Sequence, residues 1–96
     1  MKRHNTQTLG DAIKDYIRAL NLESKLKEVG IINHWEELLG QRIAKATTNL
    51  YVKDKKLFVQ VNSSIIRSEL LMIKTEIVKR LNTKAGSEVI TELIVR

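Results

Sequence analysis

The 96-residue chain reads as an α+β domain in two layers, with element order ααββαβ and a three-stranded sheet whose helices pack on one face. Three features predict this. Apolar residues recur at helical spacing as far as Ala46, then alternate with polar ones between Leu50 and Val61, and a second helical stripe separates that region from a β-rich C-terminal segment. A hairpin followed by a helix and one more strand implies a crossover over a single sheet face. Three strands cannot bury an apolar face alone, so the helices must cover it.

Residues 1–8 read as a polar N-terminal tail and residues 9–96 as one domain. Thr8 is placed as an N-cap with Asp11 three residues on, and Leu9, Ile13, Tyr16, Ile17 and Leu20 form the stripe of a first helix. A second helical stretch begins near Leu22 and runs through Leu26, Val29, Ile32, Trp35, Leu39 and Ile43 to Ala46. Gly30 and Gly40 each cost about 1 kcal/mol relative to alanine inside a helix, so a bend or break is expected at one of them.

Leu50 and Val52 then alternate with Asn49, Tyr51 and Lys53, and Leu57, Val59 and Val61 with Phe58, Gln60 and Asn62. These are two strands joined through Lys53-Asp54-Lys55-Lys56, a turn without the glycine that a two-residue type I′ loop favours. Asn62, Ser63 and Ser64 are N-cap residues for a helix with Ile66, Leu70, Ile73, Ile77 and Leu81 on one stripe, closed by Gly86. In the final EVITELIVR, Val89, Leu93 and Val95 face one way and Ile90 and Ile94 the other, which suits a strand with neighbours. Tyr51, Phe58, Gln60 and Asn62 are expected on the open side of the sheet.

Aromatic residues make up only 4 % of the chain, so aliphatic packing must supply most of the core. Seventeen Lys and Arg against eleven Asp and Glu give a formal charge of +6, two units of it from Lys2 and Arg3 in the tail. Such a surplus favours polyanionic partners through steering and counterion release. There is no cysteine, which excludes disulfides and thiolate metal sites. Neither a secretory h-region nor an apolar run of about 18 residues is present, so a cytoplasmic protein without membrane association is expected.

Nothing in the sequence nominates a catalytic residue or a cofactor. His34 has Glu37 three residues on, which is a solvated pair rather than a metal site, and the adjacent Glu36 and Glu37 point in different directions on a helix. No phosphate-cradling glycine loop is present. The surface offers basic residues instead: Arg42 and Lys45 after Gly40, Lys53, Lys55 and Lys56 at the hairpin turn, and Arg67, Lys74, Lys79, Arg80 and Lys84 along the third helix. Were the turn and the end of the second helix close together, they would line one phosphate track. The competing reading is that turn lysines keep a hairpin soluble and that Lys79, Arg80 and Lys84 complement a helix C-terminus. Arg42 falls within the apolar arc of its helix unless Gly40 resets the phase. Trp35 shares a stripe with Leu38, Leu39 and Ile43 and is followed by two carboxylates that would repel phosphate, so it reads as a core anchor.

The ordered set WEELLGQRIA at 35–44, LYVKDKKLFVQVNSS at 50–64, RSELLMIK at 67–74 and RLN at 80–82 resembles the DciA-like family. The likeness extends from Leu9 to Arg96, with Trp35, Gly40, Ser63 and Ser64 at the family's motif positions. It implies a K-homology-like fold and a non-enzymatic bacterial protein that binds the replicative DNA helicase and DNA. Many longer members carry a disordered basic segment outside this domain, and many place a tryptophan where this chain has Ile66. The Gly-x-x-Gly loop of true K-homology domains is absent, so base reading through that loop is not implied. On this basis Arg42, Lys45, Lys53, Lys55, Lys56, Arg67 and Lys74 are expected to contact DNA backbone without sequence preference. Two other readings stand beside it: a stand-alone nucleic-acid module that stacks bases on Tyr51 and Phe58, and a homo-oligomer or scaffold that pairs through a sheet edge or face.

Overall fold

The computed structural model describes residues 8–96, so the expected tail, apart from its last residue, lies outside the described residues. The elements are α1 (Leu9–Leu39), α2 (Gln41–Ala46), β1 (Thr47–Lys53), β2 (Lys56–Val61), α3 (Ser64–Ala85) and β3 (Glu92–Val95). The order is ααββαβ as expected, but the helices divide differently. There is no break near Leu20 or at Gly30, and α1 is one helix of 31 residues.

Thr8 caps it, its Oγ1 accepting from the Asp11 N–H at 3.1 Å. Gly40 ends it with φ 88°, its N–H donating to the Glu36 carbonyl at 2.8 Å. A side chain there would meet nothing within 4 Å, so Gly40 serves the positive φ rather than a close approach.

β2 is the central strand, antiparallel to β1 and parallel to β3. The hairpin closes on Asp54 and Lys55 with φ of 53° and 61°, between the paired Lys53 and Lys56. Two left-handed residues in succession are the signature of a type I′ turn, formed here without glycine. Asp54 tolerates that conformation, whereas Lys55 takes it at a cost in strain.

Ser63 Oγ accepts from the Ile66 N–H at 3.3 Å to start α3, and Gly86 in the left-handed region ends it. The α3 stripe is buried at Ile66, Leu70, Ile77 and Leu81 but not at Ile73. The helix is kinked there (φ −119°, ψ 16°), and Ile73 turns to solvent with 46 % of its surface exposed.

The last strand is shorter than the sequence suggested. Val89 and Ile90 precede β3 and are both buried, so they do not take opposite sides of a strand. The cause is Asn82 on α3: its Oδ1 accepts from the N–H groups of Val89 (2.9 Å) and Ile90 (3.0 Å), and its Nδ2 donates to the Ile90 carbonyl (2.8 Å). With their backbone groups satisfied by a side chain, these two residues need no strand partner.

The core lies between the helices and the inner sheet face, where Leu57, Val59, Val61 and Leu93 meet Ile31, Trp35, Leu70 and Leu81. The indole N–H of Trp35 donates to Thr47 Oγ1 (3.1 Å), which itself donates to the Ile43 carbonyl (2.8 Å), tying α1, α2 and β1 together. Only the C-terminal part of α1 reaches this core. Every residue from Thr8 to Leu26 is exposed, and that segment overhangs the domain, giving overall extents of 60 × 20 × 20 Å.

Candidate nucleic-acid interface

Alternation along the strands puts one set of side chains on the sheet face away from the helices. The register sets Tyr51 beside Phe58 and Phe58 beside Ile94, with Lys53, Lys56 and Glu92 in the next row. Tyr51 and Phe58 stack with ring centroids 4.9 Å apart and planes 7° from parallel. The Arg96 guanidinium lies 5.4 Å from the Phe58 centroid. Because β2 is central, Tyr51 and Arg96 flank Phe58 on opposite sides, and the three form one continuous stack.

This geometry alters the expectation of two open ring faces. Phe58 has both faces occupied, and the free stacking surface is the outer face of Tyr51, 38 % exposed. Asn49, Gln60 and Arg96 line the shallow depression beside the rings. Arg96 was missed as a site residue, although strand period places it on the same side as Ile94.

The expected phosphate contacts do not form one patch. Arg42 and Lys45 sit on α2 at the start of β1, and Arg67 is near them, its Nη2 donating to the Val61 carbonyl at 2.9 Å. Lys53, Lys55 and Lys56 lie at the far end of the same seven-residue strand, roughly 20 Å away at a strand's rise per residue. The short track joining the turn to the second helix is thereby ruled out. Lys74 stands apart from both groups, beside Thr75, Thr91 and Glu92 in a groove between α3 and β3. What connects the two ends is the open sheet face, with cations at either end and the aromatic stack between them.

Several cations are already paired. Gly40 resets the helix phase, so Arg42 faces solvent and its Nη2 meets Glu69 Oε1 at 2.6 Å. Arg80 pairs with Glu76 and Lys84 with Glu37, each at 2.8 Å. The Lys84 ammonium, by hydrogen bond and charge, holds the Glu37 carboxyl below its ordinary pKa, and Arg80 does the same for Glu76. His34 Nδ1 is 3.4 Å from Glu37, and among the described residues no three metal-ligating side chains come together.

Trp35, Ser63 and Gly40 are occupied in structure, as core residue, helix cap and helix terminus, while Ser64 is the exposed first residue of α3. Charge is unevenly divided between the two parts of the molecule. Residues 8–30 hold four basic and four acidic side chains, whereas residues 31–96 hold eleven basic and seven acidic, a surplus of +4 confined to the domain. Among the described residues no helix is long and apolar enough to cross a membrane.

The family model described as Dna[CI] antecedent, DciA matches residues 8–95. A UPF0232 protein of Corynebacterium glutamicum (strain R) is 31 % identical over 87 residues, which cover 91 % of this chain and 49 % of that protein. The chain thus spans about half the length of this relative.

Proposed function

The chain belongs to the DciA family, and from that premise we propose that it is a non-enzymatic accessory of DNA replication that binds the replicative DNA helicase and nucleic acid. The observation that carries the reading is a family match spanning the described residues almost end to end, so no part of the fold is foreign to it. Within this reading the α+β layers correspond to the K-homology-like arrangement, and the protein works in the cytoplasm.

The nucleic acid is a single strand rather than a duplex. Lys53 and Lys56 at one end of the open face, and Arg96 with Lys45, Arg42 and Arg67 toward the other, hold backbone phosphates. A base between them stacks on the outer face of Tyr51, sequence-independently because every base has a π-face. Lys55 adds charge at the tip, and Lys74, on the helical side, contributes only to the general field. A duplex would have to give up stacking and pairing, at a cost of a few kcal/mol, to offer a base to Tyr51, whereas a single strand offers one already unpaired.

Capture by immobilised replicative helicase from a bacterium carrying this chain, at low and moderate salt, tests the first part, and failure to bind in both conditions would overturn it. Fluorescence anisotropy with single- and double-stranded oligonucleotides tests the second. Single-strand binding should fall with salt and drop several-fold in Tyr51→Ala and Arg96→Ala. Equal binding of duplex, indifferent to Tyr51, would refute the open-face site while leaving the helicase partnership standing.

A further inference from the structure

We infer that the overhanging part of α1 is a self-association surface, on which the same segment of a second copy packs antiparallel. Leu9, Ile13, Tyr16 and Leu20 follow one another at intervals of four, three and four residues, the spacing of a narrow two-helix seam. All four are between 46 % and 78 % exposed. The seam stops where Glu23 and Lys27 take the next positions, and Lys27 turns to the domain, its Nζ 3.2 Å from Ser87 Oγ. An isolated helical segment of eighteen residues, Leu9 to Leu26, draws little stability from propensity alone, so an apolar stripe of this length needs a covering helix.

Charge and size select a second copy as that covering. The overhang carries no net charge, so it neither attracts a polyanion nor repels its own kind. Beside the seam stand Ala12 and Ala19 on one side and Gly10 and the half-exposed Ile17 on the other, all uncharged, so two helices meet without setting like charges together. Apposing two such stripes removes roughly 1,000 Å² from water, about the threshold of a specific interface. Antiparallel packing sets Leu9 beside Leu20 of the other copy and Ile13 beside Tyr16. It also places the two +4 domains at opposite ends of a stalk about 27 Å long, well beyond the screening length of about 8 Å. Parallel packing would crowd those charges at one end.

The absence of cysteine makes the geometry directly testable in the full chain. Light scattering coupled to size exclusion should give twice the 11.0 kDa chain mass at high protein concentration. Ile13→Asp combined with Leu20→Asp should restore the single-chain mass and shift the dissociation constant at least tenfold, with the denaturant midpoint at low protein concentration, where both chains are single, unchanged as the control for an intact domain. Oxidising a mixture of Leu9→Cys and Leu20→Cys chains should yield the mixed disulfide in preference to either symmetric one. A wild-type chain that stays single at about 100 µM overturns the proposal. Symmetric Leu9→Cys cross-links in place of the mixed product overturn the antiparallel geometry, and an undiminished mass in the double aspartate variant overturns the assignment to this seam.

Discussion

Ile13 and Ile31 lie on the same side of one helix, 18 residues and five turns apart, yet Ile31 is fully buried and Ile13 half exposed. With about 100° per residue, Ile13, Tyr16, Ile17 and Leu20 share an arc with Ile31, Trp35 and Leu38. Glu23, Ser24 and Lys27 interrupt the arc before it resumes at Ile31, and the covering differs on the two sides of that gap. Over the C-terminal turns α3 and the sheet supply that cover, and over the N-terminal turns the domain supplies nothing. An apolar stripe therefore specifies that a helix will be covered, and leaves open by which chain.

The sharpest way to break the comparison is to truncate the same face in both halves. Trp35→Ala should cost about 3–5 kcal/mol, because it opens a cavity and removes the indole donor to Thr47 Oγ1, whereas Ile13→Ala should change the unfolding of the single chain by less than about 0.5 kcal/mol. Denaturant titration at low protein concentration measures both, and equal losses would mean that the overhang belongs to the cooperative domain. Next in size, Asn82→Ala should cost about 2–3 kcal/mol, since the Ile90 N–H and carbonyl lose their side-chain partner and the Val89 N–H keeps only the Ser87 carbonyl. Unchanged stability would show that water or a longer β3 replaces the side chain.

Lys55→Gly works in the opposite direction. Removing a side chain from a left-handed residue should raise stability by about 1 kcal/mol while weakening nucleic-acid binding, so the two readouts separate strain from charge. A destabilised variant would argue against the strained turn. The smallest effect is at Glu37. Its folded pKa is lowered, so its pairing with Lys84 stabilises the fold above the ordinary carboxylate pKa and is lost as pH falls through the lowered value. Glu37→Gln should therefore flatten the acid limb of a stability profile slightly and leave pH 7 to 9 unaffected in slope, and a change on the alkaline side would contradict the assignment.

Legibility followed the range of the forces involved. The hairpin and its register could be read because side-chain period is two and one face is buried, so Leu57, Val59 and Val61 fixed the sheet side of Tyr51 and Phe58. A break at Gly30 or Gly40 was readable from the cost of glycine inside a helix, but the choice of Gly40 was not. The false division of α1 has a physical source: the stripe of Leu9 to Leu20 gives way to Leu22, Leu26 and Val29 on the other side of the same rod, and a change of face resembles a change of helix. The Asn82 network joins residues seven and eight apart through an amide whose partners no periodicity reveals. The two-ended arrangement of cations followed only from the length of β1, and Arg96 was legible in principle from Ile94.

The unbroken course of α1 through Gly30 has a mechanical consequence. Helix and overhang form one stiff rod, clamped near Ile31 and Trp35 and free at Leu9, so a partner that grips the free end acts with leverage on the clamp. A few degrees of tilt, amplified along an arm of about 30 Å at a helix's rise per residue, would be felt first at the indole and its bond to Thr47. The molecule's sole tryptophan thus stands at the fulcrum, where its emission registers torque applied about seven helical turns away.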